Sequence, residues 1–185
     1  MEAIQLKKRR ISIRDYHKMA EAGILPERGV ELINGEIIEI SPIGSKHGKI
    51  VKKLNWLLST ALDDRAIISI QNPVIANNFS EPEPDVAILK YREDFYENEH
   101  PHGQDVLLII EVGDSSIAYD RKFKLPLYAE SGVPECWLID LEKKEIHTHW
   151  QPIDEAYKFR ELVQLGEIAK AQYFDLALDT AQLFK

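Results

Sequence analysis

Asp105-Val106-Leu107-Leu108-Ile109-Ile110-Glu111-Val112 is apolar on both alternating faces, with Val106, Leu108 and Ile110 on one side and Leu107 and Ile109 on the other. A strand wetted on one face alternates apolar with polar residues, so this run belongs inside a sheet covered on both faces. Glu111 comes near its end, on the face of Leu107 and Ile109. A carboxylate there loses much of its hydration, which costs on the order of several kcal/mol unless a cation or a donor compensates. Two stretches outward of the run carry further groups of that kind: Glu83-Pro84-Asp85 before it and Asp120-Arg121-Lys122-Phe123-Lys124 after it.

Composition limits what the partner of Glu111 can be. With 185 residues and 44% hydrophobic content the chain can bury one sizeable core, and a single domain over residues 1–185 is expected. No apolar run is long enough to span a bilayer, and Lys7-Lys8-Arg9-Arg10 is not followed by an apolar segment with a cleavage site, so an unexported, cytoplasmic protein without a membrane partner is expected. The single cysteine, Cys136, lies in the apolar run Cys136-Trp137-Leu138-Ile139 and reads as a small core residue. A net charge of −8 argues against nonspecific coating of nucleic acid, because that affinity comes from Lys and Arg neutralising phosphates.

Local patterns give a mixed order of elements. Ser12 with Asp15 resembles a capped helix start, for a short helix to about Ala22 that ends at Gly23. Val30 to Ile33 and Glu36 to Ile40 flank Asn34-Gly35, the dipeptide suited to a two-residue hairpin because both central positions need positive φ. Ile50, Leu54, Leu57, Leu58 and Ala61 recur at helical spacing and predict a helix over residues 45–62. Its lysines, Lys46, Lys49, Lys52 and Lys53, read as a solvated face rather than a DNA contact. Strands are expected over Ala66 to Ile70, Pro73 to Ala76 and Asp85 to Leu89, with a polar connection over 90–104. A helix from Ser115 or Ser116 to about Ser131 should stop at Gly132, with Pro126 either near its first turn or kinking it. Strands follow at Cys136 to Asp140, Glu145 to Trp150 and Tyr157 to Val163, and the leucines of Asp175 to Phe184 suggest a closing helix. The order is α/β, with a mixed sheet flanked by helices.

If the strands carrying Asp85 and Glu111 are neighbours, their carboxylates are expected close enough to share one hard cation, for which oxygen ligands are preferred. A lysine from the following helix would stand beside it. The plainer alternative is that Asp85 opens a strand and Glu111 pairs with a nearby Lys or Arg, and spacing alone does not separate the two.

Several pieces in order then carry a resemblance. Glu31-Leu32-Ile33-Asn34-Gly35-Glu36, Ser41-Pro42 followed by His47, Glu83-Pro84-Asp85-Val86, Ile110-Glu111-Val112, Asp120 with Lys124 and Tyr128, and Gly132 to Asp140 together resemble the Uma-two family of restriction-endonuclease-like proteins in the PD-(D/E)xK nuclease superfamily. The resemblance implies a restriction-endonuclease-like core, phosphodiester hydrolysis on DNA, and a divalent cation, Mg²⁺ or another such as Mn²⁺. By carry-over it implies Asp85 and Glu111 as metal ligands with the Val112 carbonyl, and Lys124 as the catalytic lysine. Glu31 and His47 match further positions of the pattern, as outer ligands or water-orienting groups. The superfamily lysine stands two residues after the acid, where this chain has Gly113, so the family takes its lysine from the next helix. Lys122 is the rival, but side chains two apart on a helix point to nearly opposite sides. Asp114 adds negative charge where the family is serine-rich. A homodimer is expected, since cutting both strands of a duplex needs two sites.

Other candidates are weaker. His147 and His149 share a strand face without a third ligand nearby in sequence, and His100-Pro101-His102 lies in a polar loop. There is no glycine-rich phosphate loop, zinc-ligand cysteine set or serine nucleophile elbow. Two other functions remain open: a nuclease-like interaction module without catalysis, and a hydrolase of a smaller phosphoester.

Overall fold

The structure is a computed structural model that describes residues 8–26, 28–40, 42, 44–114 and 116–185. It opens with helix α1 (Ile13–Glu21), whose first turn is capped by Ser12 Oγ accepting from the Asp15 amide. A hairpin follows, β1 (Val30–Ile33) and β2 (Glu36–Glu39), closed by Asn34 and Gly35 with φ of 52° and 78°. Positive φ at both positions is the turn whose twist matches paired strands. Helix α2 covers Ser45–Leu62 and buries Ile50, Val51, Leu54, Leu58 and Leu62.

Six strands then form the central sheet in the order β3-β4-β5-β6-β7-β8: β3 (Ala66–Ile70), β4 (Val86–Lys90), β5 (Val106–Gly113), β6 (Glu135–Asp140), β7 (Glu145–Ile153) and β8 (Ala156–Val163). β5 and β6 are parallel and every other pair is antiparallel. The sheet is therefore mixed, as the sequence predicted. Both faces of β5 are covered. Leu108 and Ile110 join α2 and the chain's C-terminal part in one core, while Ile109 joins Tyr128 and Val133 in the other. No helix among the described residues is long and apolar enough to cross a membrane.

The parallel pair needs a crossover, and the chain makes it in three helical pieces: α3 (Ile117–Tyr119), a π-helical turn (Asp120–Lys124) and α4 (Leu125–Glu130). The regular helix expected from Ser115 or Ser116 is thus interrupted, and Ser115 itself lies outside the described residues. Pro126 accounts for the interruption. It has no N–H to give to a carbonyl four residues back and its ring crowds that carbonyl. The widened turn just before it, where the Leu125 amide reaches the Asp120 carbonyl five residues back, makes room for the ring. Gly132, with φ of 81°, ends the segment.

Two expected elements differ. Pro73 to Ala76 is not a strand, because its amides go to three separate places: Val74 to the Pro82 carbonyl, Ile75 to that of Pro101 and Ala76 to that of Ser80. The tail is a helix only over its last five residues. Ala177–Asp179 (β10) pairs with Ile168–Lys170 (β9), and α5 covers Thr180–Phe184. Leu176 and Leu178, both buried, stand two apart, which is a strand period, and Asp179 caps the short helix through the Ala181 and Gln182 amides.

Leu54→Ala should cost about 2–5 kcal/mol, since a fully buried side chain leaves a cavity. Trp56→Ala, two residues on and on the opposite, solvent-facing side of the helix at 61% exposure, should change stability by roughly 0.5 kcal/mol or less. Denaturant titration of both variants measures the contrast.

Candidate active site

The register of β4 against β5 pairs Val86 with Ile110, so Asp85 and Glu111 come next to each other at one end of the two strands. The two acids are tied reciprocally through the backbone. The Asp85 amide donates to Glu111 Oε2 at 3.3 Å, and the Val112 amide donates to Asp85 Oδ2 at 2.9 Å. Asp85 is also held by His47 Nε2, 2.9 Å from Oδ2, and by the Gln71 side-chain amide, which donates to Oδ1 at 3.2 Å. His47 comes from the first turn of α2, which reaches over this end of the sheet.

Glu111 faces the crossover. Tyr128 of α4 donates its hydroxyl to Glu111 Oε1 at 2.5 Å, and Lys124 Nζ lies 3.3 Å from the same oxygen. Lys124 is 8% exposed and donates to Glu31 Oε1 at 2.9 Å, where the Glu83 amide also donates at 3.1 Å. The hairpin thus delivers Glu31 to the lysine. Lys122 is exposed and sits with Nζ 4.9 Å from the Phe123 ring.

Gly113, two residues after Glu111 on the same face, cannot carry a side chain. A Cβ there would meet Ile117 Cβ at 2.7 Å and Ile117 Cα and N at 2.8 Å. Helix α3 fills that space, and the ammonium enters instead from the π-helical turn that α3 leads into.

A protein-family model, Uma2, described as "Putative restriction endonuclease", matches residues 13–181. The chain belongs to the Uma2 (Uma-two) family. Among solved structures it is similar to "a putative nuclease belonging to DUF820 from Anabaena variabilis ATCC 29413", at 18% identity over 94% of this chain and 97% of that one, with a TM-score of 0.71. At that identity the likeness speaks for the fold, which is nuclease-like. No curated protein matches the chain.

The electrostatics of this Uma2-family site follow from one cation among four acids. Lys124 feels Glu111, Glu31 and Asp120, whose charges outweigh its burial and raise its pKa. It stays charged. One ammonium does not suffice to keep every acid ionised, and Glu111, fully buried and farther from Nζ than Glu31, is pushed up to about 8 by burial against the pull of Lys124, with Asp120, Asp85 and Glu31 adding to the rise. Burial likewise pushes Asp120 up to about 6. His47 is raised by its hydrogen bond to Asp85, against burial, with the Asp85 charge and the Val112 carbonyl contributing. An all-oxygen carboxylate set carrying excess negative charge fits a hard divalent cation, which would supply what the lysine leaves uncompensated.

The sequence reading had no signal for Gln71, which lies just past β3 at a positive φ of 51°, and assigned no role to Asp120 or Tyr128 although both stand in the family pattern. The histidines it set aside go elsewhere. His149 is buried, and His147 Nε2 meets Glu145 Oε1 at 2.9 Å. Asp140, Glu145 and His147 bring their ligand atoms within 4.8 Å of one another, but Lys143 already spans the two acids at 3.7 and 3.6 Å.

Because the folded state keeps protons on Glu111 and Asp120 that the unfolded chain releases, their stabilising contribution is full below about pH 4 and is lost as pH rises to about 8. In chelator, the melting temperature of Glu111→Gln relative to the parent protein should therefore rise steadily between about pH 5 and pH 8. Melting curves across that range check the sign.

Proposed function

We propose that the protein is a metal-dependent endonuclease hydrolysing DNA phosphodiester bonds, with Asp85 and Glu111 as cation ligands. The observation that carries this reading is the arrangement of two acids at adjacent strand ends with one buried ammonium between Glu31 and Glu111. Asp85, Glu111 and the Val112 carbonyl would hold Mg²⁺ or Mn²⁺, which when bound polarises a phosphoryl oxygen and acidifies a bound water. His47 and Gln71 fix the orientation of Asp85, and Tyr128 fixes that of Glu111. Lys124 Nζ, 3.3 Å from Glu111 Oε1, would donate to the phosphate as charge develops on it. Glu31 keeps the ammonium in place and charged.

The net charge of −8 and the acid excess of the site favour one other reading, a nuclease-like module that binds a partner without cutting. The same experiments separate them. A folded protein that leaves supercoiled and linear DNA intact with Mg²⁺ and with Mn²⁺ is the module. Two sites are needed to cut a duplex, and we extend the proposal to a homodimer, which sedimentation showing only monomer at high concentration would exclude.

If the proposal holds, Lys124→Ala cuts the cleavage rate by on the order of a hundredfold or more, as loss of a transition-state donor does, while Lys122→Ala is nearly silent. Matched melting curves for the two variants keep stability out of the comparison. Equal rates in both would remove Lys124 from the mechanism.

A further inference from the structure

A second acid-lined cleft lies between α1 and the chain leading into β4. It measures about 550 Å³ and is lined by Tyr16, His17, Glu21, Glu81, Glu83 and His100 among others, and among the described residues no Lys or Arg lines it. Three carboxylates face it. Burial first, and then the charges of Glu83, Glu81 and Glu31, push the Tyr16 hydroxyl up to about 12. Glu81 stands out among them. It is 3% exposed, one of its oxygens is 2.6 Å from His17 Nε2, and the other, Oε1, is buried without any hydrogen-bond partner. A buried carboxylate oxygen left without a partner costs free energy, and a bound ion is one of the few things that offset it. The His100 ring stands edge-on to that of His17, with centroids 6.4 Å apart.

We infer that this cleft is a second cation site, separate from Asp85 and Glu111, that takes a divalent transition metal of the Zn²⁺ class between His17 Nε2 and the carboxylate of Glu81, with His100 completing the set. Imidazole nitrogens with a carboxylate are the donors such ions prefer, whereas a hard cation favours oxygen alone. Metal bonds of about 2.0–2.2 Å would part His17 Nε2 and Glu81 Oε2 from 2.6 Å to roughly 3.3 Å. The side chain of His17 is 44% exposed and His100 is exposed, so both can move, and His100 has to swing inward, because its ring nitrogens do not come within 4.8 Å of the ligand atoms of both His17 and Glu81. The ion would satisfy Glu81 Oε1 and pin α1 to the segment before β4. The inference does not depend on the nuclease reading.

Equilibrium dialysis against Zn²⁺, with Co²⁺ absorption as a second readout of nitrogen and oxygen ligation, tests it on the full chain. Asp85→Asn with Glu111→Gln removes the ligands of the other site. In that background one equivalent of Zn²⁺ should remain, His17→Ala and His100→Ala should each weaken it at least tenfold, and the ion should raise the melting temperature. His147→Ala, at the cluster with Asp140 and Glu145, should change nothing. Both α1 and cleft histidines are exposed enough that these variants fold even if Glu81→Gln does not. Loss of the Zn²⁺ in the Asp85→Asn, Glu111→Gln background, its loss in His147→Ala, or undiminished binding in His17→Ala would overturn the assignment.

Discussion

One ammonium, Lys124, is shared between carboxylates on the covered side of the sheet, and the neighbourhood of Glu111 depends on it. Nζ contacts Glu31 from the hairpin and Glu111 from the central strand, and it is also felt by Asp120. A buried pair of this kind is seldom a net source of stability, because the desolvation of each ion offsets much of the attraction. Its consequence is positional. Three stretches separated by up to about ninety residues of chain are brought to one charge, and removing that charge would leave Glu31 buried without its cation and hold Glu111 further toward its protonated form.

How the lysine reaches that place is decided by backbone packing rather than by charge. A strand residue two beyond Glu111 would present its side chain on the same face, but Ile117 approaches Gly113 so closely that no Cβ fits. The ammonium has to come over the top of the sheet. The π-helical turn gives it the angle, and Pro126 fixes where that turn falls. Widened turns of this kind occur often at functional sites because they re-aim side chains that a regular helix would send elsewhere. Here the result is Lys124 inward and Lys122 over Phe123 at the surface.

What could be read from residues alone tracks the range of the interaction responsible. The Asn34-Gly35 turn, the Ser12 cap and the apolar stripe of α2 rest on contacts within a few residues, and each appears where local chemistry predicts it. The two-sided burial of β5 follows from its lack of alternation. Pro73 to Ala76 was misread because β-like composition does not say whether three amides will find one partner strand or three different carbonyls. The tail was misread because leucines at 176, 178 and 183 satisfy helical and strand periods about equally until β9 offers a ladder. Gln71 was out of reach altogether, since its role depends on the end of β3 meeting that of β4.

The same charge arithmetic bears on how an acidic protein would handle a polyanion. A chain of net charge −8 has no general attraction for phosphate, and its one buried site lysine is already engaged by two acids. On the proposed reading, the cation does more than activate water. Glu111 and Asp85 would hold it, Glu31 would remain the close partner of Lys124, and the added positive charge would let a region of negative potential accept a phosphoryl oxygen. Metal and substrate affinity are then coupled by electrostatics alone. Burial favours the protonated form of Glu111, and the acid excess around Lys124 opposes a phosphate until a further positive charge offsets it.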